Sequence, residues 1–348
     1  MRAARMRAGA CLNSSCHCRG PAMADPVLVG DIGGTNVRFA VAREGFAGRP
    51  IISDVSVMSG DDFKIFDDAL TVYLKRLGKD APHRALIALA GPVQQGRVTL
   101  TNRDWTVDTA RLQENCGLER VELVNDYAAM ARSIPELPED AFRLIHEGDG
   151  EPSSRQPILV SGPGTGLGMA TLIPAEPAGW HVLTGEGGHA AFAPATPREW
   201  ALAEKLRETH PYVSRELVLS GSGLDAVHKA LCDIDGVSWQ KTAPARVLEL
   251  ARQGDPICRD ICEIKARGTL YALGDAALMN GTRGGVVITG GVAEQLADWL
   301  AAPEAIDRFM QRGPMSDYMR PIPIRILMSG EAALIGAAAL QFDEVPVR

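Results

Sequence analysis

The sequence predicts an α/β protein of two domains, and three observations carry the prediction. Apolar runs of strand length alternate with segments of helical period along most of the 348 residues, the pattern of helices packed on a mostly parallel sheet. At about 100–200 residues per domain, the length suggests two. A Gly/Thr-rich turn between two apolar runs occurs twice, within residues 27–42 and 158–173, which points to internal duplication with a ligand between the halves.

The first apolar run, 27–29, ends in Gly30-Asp31, and a second follows from Val37 to Ala42, so two strands flank a glycine-rich turn. Residues 51–57 read as a third strand of that sheet. Phe63, Phe66, Leu70, Leu74 and Leu77 have the 3.6 period of an amphipathic helix stopped by Gly78. RALIALA (84–90) is apolar throughout, as a strand covered on both faces should be. A strand near 97–100 leads to TNRDW (101–105), and a short strand, 121–124, ends at Asn125-Asp126, where a helix over 127–133 begins. Residues 134–156, rich in Pro, Glu and Gly, read as a surface connection. The second cycle follows: a strand from Ile158, the turn SGPGTGLG (161–168), and a strand over 169–173. Helices are expected near 198–209, 223–231 and 245–280, the last with interruptions. A strand over 285–289 then leads into a helix opened by Gly290-Gly291. A strand over 322–328 and an Ala-rich helix over 331–342 end the pattern.

The formal charge of −7 argues against nucleic acid or an anionic membrane as partner, and aromatic residues at 5 % offer no base-stacking platform. No apolar run approaches the length of a membrane span. Seven cysteines without framework spacing suit a reducing compartment, hence a cytoplasmic location. Cys258 and Cys262 read as core thiols. Cys11, Cys16 and Cys18 fall in an Arg-rich leader, residues 1–23, which has three readings: a transit-like segment, a Cys/His metal tract, or an extension upstream of a working start at Met23. The lack of an apolar stretch and of helical periodicity favours the third.

Several residues are candidates for chemistry. Gly33 and Gly34 leave room for a close ligand, and successive backbone N–H groups in such a turn form a concavity for anions. Thr35 adds a polar donor, and Asp31 at the strand tip is placed to hold a cation through water. The chain contains neither G-x-x-x-x-G-K-S/T nor a strand–G-x-G-x-x-G–helix unit, so this is a different kind of phosphate loop. Asp126 stands where open α/β sheets bind ligands, although Asn125-Asp126 in isolation reads more often as a helix cap than as a base. Glu186 and His189, spaced by glycines, suit a sharp loop offering a carboxylate and an imidazole to the hydroxyls of a small polar ligand, a pattern sugars present. Glu216, Asn102 and Gly290-Gly291 are weaker signals, each with a surface or simple turn reading.

Taken in order, GDIGGTNVRFA (30–40), LIALAGPV (86–93), TNRDW (101–105), LVNDYAA (123–129), GPGTGLG (162–168), TGEGGHAAFAP (184–194), LVLSGSGL (217–224), ITGGVA (288–293) and SGEAALIGAA (329–338) resemble the bacterial glucokinase family. That family belongs to the hexokinase-like branch of the sugar kinase, heat-shock ATPase and actin superfamily. The resemblance implies a two-domain actin-like ATPase (ribonuclease H-like) fold with a cleft between a small domain, residues 24–137 plus 330–348, and a large one, 138–329. It implies ATP-dependent phosphorylation of glucose at its 6-hydroxyl, with Mg²⁺, in a cytoplasmic homodimer feeding glycolysis. Asp126 would be the general base. Asn102, Asn125, Asp126, Glu186, His189 and Glu216 would bind the sugar. Gly30, Asp31, Ile32, Gly33, Gly34 and Thr35, with Gly164, Thr165 and Gly166, would cradle the phosphates, Gly290 and Gly291 would lie near the adenosine, and Asp31 near Mg²⁺. His189 is followed by AAFAPATPREW without cysteine, a departure from the zinc-bearing repressor/open-reading-frame/kinase branch. The alternatives are a kinase for another hexose or amino sugar, and a non-catalytic sugar sensor of the same fold.

Overall fold

The computed structural model describes residues 25–33, 36–91, 93–100, 103–150, 155–176 and 179–343, with Ala47 described by its backbone only. The strands are β1 (Val27–Ile32), β2 (Asn36–Glu44), β3 (Pro50–Ser59), β4 (Arg84–Leu89), β5 (Arg97–Thr99), β6 (Thr106–Asp108), β7 (Arg120–Asn125), β8 (Phe142–His146), β9 (Ile158–Pro163), β10 (Leu167–Pro174), β11 (Trp180–Gly185), β12 (Gly285–Ile288) and β13 (Ile324–Leu327).

Two sheets repeat one plan. The first has the order β3-β2-β1-β4-β7, the second β11-β10-β9-β12-β13-β8, and β5 and β6 pair separately. In each, three antiparallel strands joined by tight turns come first, and two strands parallel to the first of them follow. The sheets are therefore mixed rather than mostly parallel, because the glycine turns fold strand two straight back onto strand one. The stretch 134–156, expected to be a surface connection, contains β8, which pairs antiparallel with β13 at the sheet edge. β11, for which no strand was predicted, extends the second hairpin.

β1 and β4 are buried along nearly their whole length, as their uninterrupted apolar sequences require. The helix Phe66–Leu77 buries Phe66, Ala69, Leu70 and Tyr73 against the first sheet. Asp67 and Asp68 in its first turn and Lys75 and Arg76 in its last oppose the macrodipole correctly, and Gly78 at φ 63° ends it. On the far side of the second sheet, the long helix Pro256–Asn280 forms the spine of a large core that includes Cys258 and Cys262, both buried as expected.

Between the sheets lies a shared layer. Val29, Ala40, Leu86 and Ala88 of the first sheet and Val160, Ala170, Leu172 and Val287 of the second enclose the helices Asp126–Ser133 and Ala332–Phe342 in one apolar cluster. Alanine dominates both helices, which allows close approach. Gly336 lies directly against the Ala129 carbonyl, where no side chain could fit. Arg132 ties the two helices together through a bidentate pair with Asp343, at 2.7 and 2.8 Å, and a further bond to Glu136 at 2.7 Å. Among the described residues, no helix is long and apolar enough to cross a membrane.

Candidate active site

The two sheets bring the C-terminal ends of β1, β7, β9 and β12 to one crevice. Within the first sheet, Asp31 pairs with Ala88 and Asn125 with Leu89, so the ends of β1 and β7 stand at almost the same level, two strands or about 10 Å apart. Asn125 caps the helix Asp126–Ser133. Its Oδ1 accepts from the backbone N–H of Tyr127 at 3.0 Å and of Ala128 at 3.3 Å. Asp126 is the first helical residue, and its Oδ1 accepts from Tyr127 N at 2.9 Å.

Burial raises the Asp126 carboxyl to about 6, and the charges of Asp31 and, less strongly, Glu186 add to the effect. Asp31, itself raised by burial, is held by Arg38, whose Nη1 donates to Oδ2 at 2.9 Å. Arg38 also faces Glu294, a group raised by burial and opposed by that guanidinium. The first hairpin thus looks across at the helix Gly291–Gln295, whose N-cap is Gly290.

Glu186 and His189 lie on the loop after β11, 4.0 Å apart and largely solvent-exposed. Gly187 and Gly188 make that loop possible: a side chain at Gly188 would strike the Leu167 carbonyl, and one at Gly187 would meet the Met169 sulfur at 2.5 Å. Tyr212 Oη donates to the His189 carbonyl at 2.9 Å and steadies the loop from outside.

The second glycine turn is braced from two directions. Gly164 N donates to Gly166 O at 2.9 Å within it. Gly221 N and Ser222 N donate to the carbonyls of Gly164 and Thr165 at 2.8 and 3.1 Å. Glu216 accepts from Leu167 N at 2.8 Å, and a side chain at Gly166 would meet that carboxylate at 2.6 Å. Gly290, at φ 100°, abuts the same turn, since a Cβ there would lie 2.6 Å from the Pro163 carbonyl. Thr165 and Gly291 are exposed to the crevice.

Asp31, Asn125, Asp126 and Glu186 therefore converge, with His189 on the same loop as Glu186. Gly33, Gly164, Thr165, Gly166, Gly290 and Gly291 form the adjoining turns. Gly30 and Ile32 sit inside β1: Ile32 is buried, and Gly30 makes room for Ile87 and the Phe39 ring. Glu216 has one oxygen committed to the second turn. Gly34, Thr35, Asn102 and the leader 1–23 lie outside the described residues.

Tyr127 is a residue that the sequence reading passed over. Its hydroxyl donates to Gly162 O at 2.7 Å and accepts from Thr289 Oγ1 at 3.4 Å, linking the helix start at Asp126 to the ends of β9 and β12. Its ring fills the space over Gly168, where no side chain could stand. The only sequence signal was an aromatic residue directly after Asn125-Asp126.

A duplicated sheet plan with a crevice at the strand ends and glycine turns from both halves defines the actin-like class of sugar kinases. Residues 28–343 match the family model described as Glucokinase. Glucokinase of Nitrobacter hamburgensis is 38 % identical over 321 residues, 91 % of this chain and 97 % of the relative. That of Chromobacterium violaceum is 37 % identical over 324 residues, 93 % of this chain and 91 % of the relative. The crystal structure of glucokinase from an Antarctic psychrotroph aligns with a TM-score of 0.78 at 34 % identity, covering 90 % of this chain and 98 % of that one. The chain belongs to the glucokinase family, enzymes that phosphorylate glucose.

Proposed function

We propose that the chain transfers the γ-phosphoryl group of ATP to the 6-hydroxyl of glucose, with Asp126 as general base. The observation that carries this reading is the Asp126 carboxylate itself. It stands half-buried at a strand end, accepts through one oxygen from its own helix, and is raised to about 6, so that it is ionised at neutral pH yet basic enough to accept a proton. As the sugar oxygen forms its bond to phosphorus and the bond to the leaving ADP oxygen breaks, the hydroxyl proton passes to Asp126. Phosphoryl transfer of this kind relies mainly on positioning and electrostatics.

In this reading Glu186, His189 and Asn125 hold the sugar hydroxyls, Asn102 adds a contact, and Glu216 acts from the edge of the sugar site. Gly33 to Thr35 and Gly164 to Gly166 supply amides to the phosphates, with Gly30 and Ile32 supporting from within β1. The adenosine lies by Gly290-Gly291, beside a shallow apolar recess lined by Leu224, Val247, Leu248 and Val292. A magnesium ion fits the donor set beside Asp31: one carboxylate with a single oxygen engaged by Arg38 suits a hard cation that keeps its waters and takes further oxygens from phosphate. Bound there, it would neutralise charge on the β- and γ-phosphates.

We divide the chain into a small domain, 24–137 with 330–348, and a large one, 138–329. Support comes from the membership of β8 in the second sheet and from the packing of helix Ala332–Phe342 on helix Asp126–Ser133 and the first sheet. A cytoplasmic homodimer, working at the entry to glycolysis, completes the reading.

The test is ADP release from ATP and Mg²⁺ with glucose, mannose, fructose, N-acetylglucosamine or no sugar. A glucose-dependent signal that Asp126→Ala abolishes, while calorimetry still detects glucose binding, is the expected result. Turnover on another sugar alone would replace glucose as substrate, and near-normal turnover by the variant would remove Asp126 as base.

A further inference from the structure

The long helix Pro256–Asn280 carries a lysine, Lys265, whose side chain is enclosed in the large core and only 3 % exposed. A buried ammonium is costly unless its protons are bonded. Here Nζ donates to the Val218 carbonyl at 3.0 Å and to the Ser220 carbonyl at 2.6 Å. Both carbonyls belong to the C-terminal end of the helix Arg215–Leu219, where such groups lack partners within the helix and a cation is favoured.

That five-residue helix and the turn after it hold the second glycine loop at three points. At its start, Glu216 takes the Leu167 N–H. Immediately beyond Ser220, the N–H groups of Gly221 and Ser222 engage the carbonyls of Gly164 and Thr165. Lys265 fixes the far end of this brace, and its stem, with Cys262 and Gly221, lines the apolar recess beside Gly291. Burial lowers the lysine to about 7, while the neighbouring Cys262 thiol is pushed up to about 11 and stays neutral.

We propose that Lys265 is a positioning residue for nucleotide binding: through Val218 and Ser220 it holds the 220–222 turn against Gly164 and Thr165, and so sets the shape of the second phosphate loop. It touches neither sugar nor reacting atoms. The proposal rests on the reading of the 164–166 turn as a nucleotide site.

Lys265→Met keeps the length of the stem but leaves both carbonyls unpaired. Lys265→Gln is shorter and retains a donor for one of them. The expected order of KM for ATP is wild type, then Lys265→Gln, then Lys265→Met, with the last raised about tenfold, equivalent to 1.4 kcal/mol. Both kcat and calorimetric glucose affinity should stay within about threefold of wild type, a smaller change than that constant implies. A merely structural role would lower thermal stability and all kinetic constants together; that pattern, or an unchanged KM for ATP in Lys265→Gln, would overturn the proposal. If Lys265→Met does not fold, Lys265→Gln against wild type decides alone. Wild-type enzyme that releases no ADP with any sugar would instead sink the kinase reading, so the two failures are distinguishable.

Discussion

Replacing Asp126 by Asn should inactivate the enzyme and stabilise it. The carboxyl's rise from 3.8 to about 6 corresponds, at about 1.36 kcal/mol per pH unit, to roughly 3 kcal/mol in favour of the protonated form. The unfolded chain releases this proton near 3.8 and the folded chain near 6. The group's favourable contribution is therefore complete below about pH 4 and is lost as pH rises through about 6. Asparagine keeps the oxygen that accepts from Tyr127 N at 2.9 Å and never ionises, so it escapes the loss. At pH 8 the variant should be more stable by up to roughly 3 kcal/mol, or about 4 °C in Tm for a chain of this length, with the gap closing towards pH 4.5. Turnover should meanwhile fall about 10²–10⁴-fold, the usual worth of a general base. Thermal unfolding of both proteins across pH 4.5–8, without ligands, is the assay. A variant that melts at or below the wild type at pH 8, or a gap independent of pH, would refute the assignment of a desolvated carboxylate with a raised pKa.

The other predictions concern the surrounding framework. In wild type, kcat/KM for glucose should fall on the acid side with an apparent pKa near 6, and Glu186→Gln should move that limb downward while raising KM for glucose; an unmoved limb would separate Glu186 from Asp126. Tyr127→Phe removes the hydroxyl that bonds Gly162 and should cost about 1–3 kcal/mol, the penalty of an unsatisfied buried group, with equilibrium unfolding as the measure. Arg132→Ala leaves the carboxylates of Asp343 and Glu136 unpaired and should cost about 3–5 kcal/mol, as loss of one partner from a buried ion pair does; a change under about 1 kcal/mol, the value of a surface pair, would show that the tether is dispensable.

The parts of the fold legible in the sequence were those written in glycine and in uninterrupted apolar runs. The two hairpin turns and the strands around them are local events, so short stretches suffice to specify them. β8 escaped because FRLIH is half-exposed at a sheet edge and surrounded by Pro, Glu and Gly, where composition speaks for a loop. β11 escaped because its residues are mostly exposed and offer a single buried side chain, Val182. At the crevice, the identity of Asp126 was readable but its environment was not: its raised pKa comes first from burial and then from the charges of Asp31 and Glu186, all supplied by distant parts of the chain. Glu216 shows the same limit. Its bond to Leu167 spans 49 residues, and only tertiary structure turns that carboxylate onto the second glycine loop. Lys265 carried no signal at all, since a lysine in a helical run reads as a solvated charge until the helix is buried.

The bond between Arg132 and Asp343 joins residues 211 positions apart, and this bears on how the protein is made. The first sheet leaves the ribosome early, yet the Ala-rich helix that covers its inner face is synthesised after the whole second sheet. Until then Ala40, Leu86 and Ala88 have an incomplete cover. Domains that form during synthesis ordinarily do so from the N-terminus onward. Here the half made first is finished last, and a nascent chain stalled before residue 332 would present an apolar face to whatever chaperone or sister chain is near.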